Sequence, residues 1–291
     1  MNERAIVATD LSDASLFLVK HLSLLHTLNI SSIILLQCPD YQEIASEVFP
    51  YIASIENEML EKQHDILTSF GFKVEVLISP GNVSAQINRI AKERDINLVI
   101  VGSMGHSLVG GALLGGVASE VMLSTKHPLL IIRISLNEER EFTINHIEGE
   151  SFLNHVLFCT DFTPPSMKVF DQFLVHMSNG EAKKVSLLHV IDEKHLSTYE
   201  KEGLDDYITV TKQRLVTMEQ KVKSVGVKRV NSHIFLGSIQ NQILNMLNNE
   251  DVTLSILGTT NASFIKELFS SSVSHYVARN SPVSVLLLPL S

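Results

Sequence analysis

The chain repeats itself. The segment from Ile6 to Ile132 is echoed, landmark by landmark, by the segment from Val156 to Leu288. Each copy opens on a short apolar run ending in Thr-Asp (Thr9-Asp10, Thr160-Asp161) and closes on a Pro-led apolar run at Pro128 or Pro282. The spacing between matched landmarks, such as Gly81 with Gly237 or Gly102 with Gly258, drifts by only a few residues. Solenoid repeats run to about 20–50 residues, so a period this long marks a duplicated domain. Two similar folds in one chain can pack as an intrachain pseudo-dimer. Any ligand site in one copy is then expected in the other unless that copy has decayed.

Within each copy, short apolar runs alternate with long helical patterns. Runs such as Ile33-Ile34-Leu35-Leu36 and Val99-Ile100-Val101 are continuously apolar. That is the pattern of strands covered on both faces, as in a parallel sheet wrapped by helices. Five such runs and four helical stretches per copy predict two doubly wound, five-stranded α/β domains. Expected strands in the first copy are Ala5–Thr9, Ser32–Cys38, Phe72–Ile78, Leu98–Gly102 and Pro128–Ile132, and one helix is expected over Asp13–Leu28. The polar stretch 135–151 belongs to neither copy and reads as a linker, with its Glu138-Glu139-Arg140-Glu141 run as a solvated tether. The domains are therefore set at 1–134 and 152–291.

Composition removes several function classes. A chain of 291 residues with net charge −9 and no dense Lys/Arg block lacks the electrostatic footprint of a nucleic-acid binder. The polar start from Met1 to Asp10 and the short apolar runs predict a cytoplasmic protein with neither signal peptide nor membrane partner. The only two cysteines, Cys38 and Cys159, sit in strand-like runs and read as small buried hydrophobes. Twelve histidines form no ligand spacing, so no metal site is expected. His189 reads as a buried, hydrogen-bonded histidine, and His106 as a loop residue facing solvent, with contact to a phosphate or proton carriage as its other reading. A Gly-x-Ser-x-Gly elbow and a Walker lysine are both missing, which leaves hydrolase or kinase chemistry without machinery.

Ligands of an open α/β sheet sit beyond the carboxyl ends of its strands. In the first copy, Asp10 follows the first strand, Cys38 ends the second, and Gly102-Ser103-Met104-Gly105 ends the fourth. Nine residues separate Gly105 from Gly115, and Gly116 opens a helix. Glycines let backbone approach an anion, and the first N–H groups of a helix point at it, so Gly102, Gly105, Gly115 and Gly116 suit a phosphate. Asp10 and Asp161 carry a second reading, since each begins an Asp-x-Ser/Thr stretch just ahead of a helix, where Asp, Ser or Thr commonly caps. In the second copy the loop runs from Gly258 through Asn261 to Ser271-Ser272, so two glycines are replaced and a hydroxyl is gained. Ser271 and Ser272 equally fit a helix cap without a ligand.

These landmarks make the chain resemble a tandem universal stress protein over nearly its whole length outside the linker. The nucleotide-binding members of that family carry Gly-x2-Gly-x9-Gly followed by Ser or Thr. Gly102, Gly105 and Gly115 match, while Gly116 stands where the hydroxyl belongs. The resemblance implies an adenine nucleotide alpha hydrolase-like fold and bound ATP or AMP, with Mg2+ as companion. It assigns adenosine contacts to Asp10 and Cys38, and to Asp161 and Val190 in the second copy. It also brings Gly81 and Gly237 into the two sites. On this reading the protein is a stress-response nucleotide sensor with one site in the first copy and a weaker one at Asp161, Val190, Gly237, Gly258, Asn261, Ser271 and Ser272. The alternative is a scaffold with decayed pockets that works through an unidentified protein partner. Catalysis is at most a weak ATPase on family analogy. The family also pairs domains through their last strands, and further homodimerisation stays open.

Overall fold

The computed structural model describes residues 3–39, 49–105, 114–144, 151–178, 182–194, 201–259 and 273–289. The chain divides into two compact units, Met1–Ile144 and Asn145–Ser291. That division falls within the stretch read as a linker.

Unit 1 runs β1 (Glu3–Thr9), α1 (Asp13–Lys20), a 3-10 helix (Leu22–Leu28), β2 (Ile30–Gln37), α2 (Phe49–Ser69), β3 (Lys73–Ile78), α3 (Val83–Glu93), β4 (Leu98–Gly102), α4 (Gly116–Ser124) and β5 (Leu129–Ile132). Its strands lie in the order β3-β2-β1-β4-β5, all parallel. Ile6 of β1 pairs with Ile34 of β2 on one side and Val99 of β4 on the other. All three side chains are buried, as expected for strands covered on both faces. The strand order reverses direction between β1 and β4, which fixes the ligand crevice at their carboxyl ends.

The helix expected over Asp13–Leu28 is two pieces. The α-helix stops at Lys20, and a 3-10 segment follows. Leu22, Leu25 and Leu28 are all buried, and their spacing of three residues stacks them on one face of a 3-10 helix, whereas an α-helix would fan them out. Asn29, in the left-handed conformation at φ 60, ends the segment.

The expected linker also begins with structure of its own. β6 (Ile134–Leu136) and β7 (Phe142–Ile144) form an antiparallel hairpin on unit 1. Ile134 and Ile144 are buried, and the Phe142 ring lies 5.6 Å from that of Phe17. The Glu138–Glu141 run forms the exposed hairpin tip and its end, with Arg140 at φ 62.

Unit 2 repeats the plan: β8 (His155–Cys159), α5 (Pro164–Met177), β9 (Lys184–Asp192), α6 (Lys201–Ser224), β10 (Arg229–Gly237), α7 (Ile239–Asn249), β11 (Leu254–Thr259), α8 (Val273–Asn280) and β12 (Ser284–Pro289). The order β10-β9-β8-β11-β12 is again parallel throughout. Its core is more aromatic. Phe158, Phe170 and Phe173 are fully buried, with ring centroids 4.7–5.7 Å apart.

One backbone feature recurs. The residue after each Thr-Asp pair takes a left-handed conformation, Leu11 at φ 61 and Phe162 at φ 59. Side chains with a γ-carbon adopt this region at a cost of about 1–2 kcal/mol. Here it turns the chain so that Asp10 Oδ1 accepts from Ser12 N at 3.1 Å and Asp161 Oδ1 from Thr163 N at 2.9 Å. Among the described residues, no helix is long and apolar enough to cross a membrane.

Candidate functional site

The carboxyl ends of β1, β2 and β4 and the start of α4 enclose a cavity of about 360 Å3. Its wall includes Asp10, Cys38, Gly102, Gly105, Gly115 and Gly116. Six of the seven residues expected at the first site are thus brought together. The seventh, Gly81, is off the wall; its φ of +116 makes it a turn residue leading into α3.

The cap of α1 is Ser12, and Asp10 supports it from the preceding turn. Oδ1 accepts from Ser12 N, from Ser12 Oγ at 2.6 Å and from Ser15 Oγ, while Ser12 Oγ in turn caps Ser15 N. The carboxylate therefore organises the α1 cap without being the cap. Its other oxygen, Oδ2, lies against the backbone of Gly105 on the cavity wall.

The loop read as a phosphate cradle divides its labour. Ser103 is fully buried, donates its N–H to Ile132 O at 2.9 Å and accepts from Gly115 N at 2.9 Å. Its hydroxyl joins Ile134 on the hairpin, accepting from N at 2.9 Å and donating to O at 3.1 Å. Ser103 thus closes the base of the loop and ties it to β6. Gly102 sits in a tight place, since a Cβ there would lie 3.3 Å from both Ile134 Cδ1 and Met104 O. His106 lies outside the described residues.

At the start of α4, Gly115 is the N-cap and supplies no side-chain acceptor. By contrast, α1, α3 and α5 are capped by Ser12, Asn82 and Thr163. The first N–H groups of α4 have no intrahelical partner, and the residues that carry them, Gly116, Val117 and Ala118, all line the cavity. That is the arrangement an anion needs. A Cβ at Gly116 would meet nothing within 4 Å, so the missing hydroxyl can be restored without a clash. We expect Gly116→Ser to tighten nucleotide triphosphate binding by up to about tenfold, the worth of one added hydrogen bond. Titration of both proteins checks it; unchanged or weaker binding would show that no phosphate reaches this position.

Cys38 is half-buried on the wall, and burial pushes its thiol up to about 11 against the opposing pull of Arg89. Cys159 goes to about 12 for the same reason. Both are neutral near pH 7, so neither is a nucleophile. Among the described residues, no group of three His, Cys, Asp or Glu side chains could hold a metal ion.

Unit 2 has a matching cavity of about 360 Å3, which brings together Asp161, Val190 and Gly258. Gly237 is again a turn residue, at φ +135, and off the wall. Asn261, Ser271 and Ser272 lie outside the described residues. Leu188, Ile239, Ile243, Leu257 and Val273 make much of this wall apolar. His189 is buried, with Nδ1 2.9 Å from Thr160 O and Nε2 3.1 Å from the Tyr207 hydroxyl; burial lowers its pKa. Sequence reasoning passed over Gln37, which lines the unit 1 cavity. Setting the two copies side by side, where Gln37 faces His189, was the signal that could have found it.

Two parallel α/β units of one topology, each with a cavity at the strand switch point, define a duplicated doubly wound fold. The model of the universal stress protein family matches residues 1–133 and 153–289. The chain belongs to that family, with one family repeat in each unit. A universal stress protein of Methanocaldococcus jannaschii is 26% identical over 155 residues, 46% of this chain and 96% of the relative. One of Bacillus subtilis is 29% identical over 145 residues, 46% of this chain and 97% of the relative. Among solved structures, a universal stress protein from Archaeoglobus fulgidus aligns over 99% of this chain and 96% of its own, with a TM-score of 0.74 and 20% identity. That likeness supports the fold.

Proposed function

We propose that unit 1 binds an adenine nucleotide, ATP or AMP, and that the protein serves as a nucleotide sensor in stress adaptation. The observation that carries this reading is the convergence of Asp10, Cys38 and the uncapped start of α4 on one cavity. Gly116, Val117 and Ala118 would present N–H groups to phosphate, and Asp10 and Cys38 would hold adenosine. A volume of about 360 Å3 falls in the range of small-ligand sites. Mg2+ would arrive with the phosphates and neutralise their charge. On this reading binding is the function and hydrolysis is incidental.

A scaffold role is the second reading, and the apolar wall and internally bonded His189 favour it for unit 2. The deciding experiment is calorimetric titration of nucleotide-stripped protein with ATP and AMP, repeated on Asp10→Ala and Gly115→Val. One nucleotide per chain, lost in both variants, is the expected result. Two per chain would add unit 2 as a second site, and no heat at millimolar nucleotide would leave the scaffold.

A further inference from the structure

A buried amide on the wall of the unit 1 cavity has a side-chain oxygen with no partner among the described residues. Gln37 ends β2, lines the cavity and is 4% exposed. Its backbone is engaged, beside Thr9 in the sheet and accepting from Ser79 N at 2.9 Å. Among the described residues its side-chain Oε1 has no hydrogen-bond partner. Buried polar groups are almost always hydrogen-bonded, because leaving one unpaired forfeits its hydration without return.

The second unit supplies the comparison. Cys159 pairs with Leu188, so one step further along Thr160 lies beside His189, as Thr9 lies beside Gln37. His189 meets its needs inside the protein, through Thr160 and Tyr207, and does not line the unit 2 cavity. The same place in the fold thus holds an internally satisfied group in one copy and an unsatisfied, cavity-lining group in the other.

We propose that Gln37 is a specificity-determining residue that reads the exocyclic amine of adenine; this rests on the nucleotide reading of unit 1. A carboxamide presents an acceptor and donors side by side in one plane. Adenine offers the complement, an N6 amine that donates next to a ring nitrogen that accepts, and Gln pairs with it in two hydrogen bonds elsewhere in recognition. Gln37 also directly precedes Cys38, one of the two residues placed at adenosine.

The test compares ATP with purine riboside 5′-triphosphate, in which hydrogen replaces the amine, by titration of the full chain and of Gln37→Met. The wild type is expected to prefer ATP by about tenfold or more. Gln37→Met is expected to bind both alike, losing more affinity for ATP than for the analogue. A wild type that binds the two equally overturns the proposal, and this arm stands even if the variant fails to fold. A variant that keeps the ATP preference, or weakens both ligands equally, also overturns it. A wild type that binds neither overturns the nucleotide reading itself, and this assignment with it.

Discussion

Gly105→Ala is expected to weaken nucleotide binding by about ten- to a hundredfold while leaving the fold intact. A Cβ at Gly105 would lie 2.5 Å from Asp10 Oδ2, a separation real structures do not sustain. Asp10 has little freedom to retreat, because its Oδ1 is held by Ser12 and Ser15 at the start of α1. The methyl group therefore pushes the carboxylate off the cavity wall or breaks the cap. A hydrogen bond to a charged group contributes about 1.5–3 kcal/mol, which sets the expected range. Titration of Gly105→Ala beside Asp10→Ala checks the argument, since the two should lose similar affinity. If Gly105→Ala binds like the wild type, the glycine does not protect Asp10, and its role lies with the phosphates alone.

Acidification from pH 7 to pH 4.5 is expected to destabilise unit 2 by about 2 kcal/mol through His155. This side chain is 4% exposed, and Nε2 lies 2.9 Å from Ser186 Oγ. Burial, seconded by nearby Lys184, lowers its pKa from 6.5 to about 4, against the opposing pull of the Asp251 backbone, Glu250 and Asp251. The unfolded chain takes up the proton first as pH falls, so stability present above about pH 6.5 drains away towards pH 4. The full shift corresponds to about 3 kcal/mol, and partial access of water reduces it to about 2. Burial lowers the pKa of His176 and His189 in the same unit as well, adding in the same direction. Denaturant unfolding at pH 7 and 4.5 of the wild type and His155→Gln provides the check, because the amide can keep the bond to Ser186 without titrating. An equal loss in both proteins would assign the effect elsewhere.

Legibility in the sequence followed how local the cause was. The strands could be read because burial on both faces writes itself as unbroken apolar runs, as in Ile33 to Leu36. The duplication carried the topology with it. The break after Lys20 was hidden, since a leucine-rich stretch suits an α-helix and a 3-10 helix until the core selects the three-residue spacing. The β6–β7 hairpin was hidden for a different reason. Three-residue strands carry no period, and what fixes them is Ser103 and Phe17, distant in sequence. At the cavity, residue types pointed to the strand ends that line it, but not to what each residue does there. Gly102 and Gly105 each clear a specific neighbour, and Ser103 in the same motif is a buried anchor. Gly81 and Gly237 serve their turns away from the cavity walls.

The left-handed residue after each Thr-Asp pair has a consequence for tracing kin of this protein. Leu11 and Phe162 differ in size and surroundings yet share one torsion. The gene duplication thus handed down a bend rather than a residue. The hydroxyl two places after each aspartate, Ser12 or Thr163, is the partner that bend brings within reach. The four-residue stretch of threonine, aspartate, a bulky apolar residue and a hydroxyl is therefore a geometric signature that survives where the glycine loop has been rewritten. A degenerate copy is better traced from the end of its first strand than from its phosphate loop.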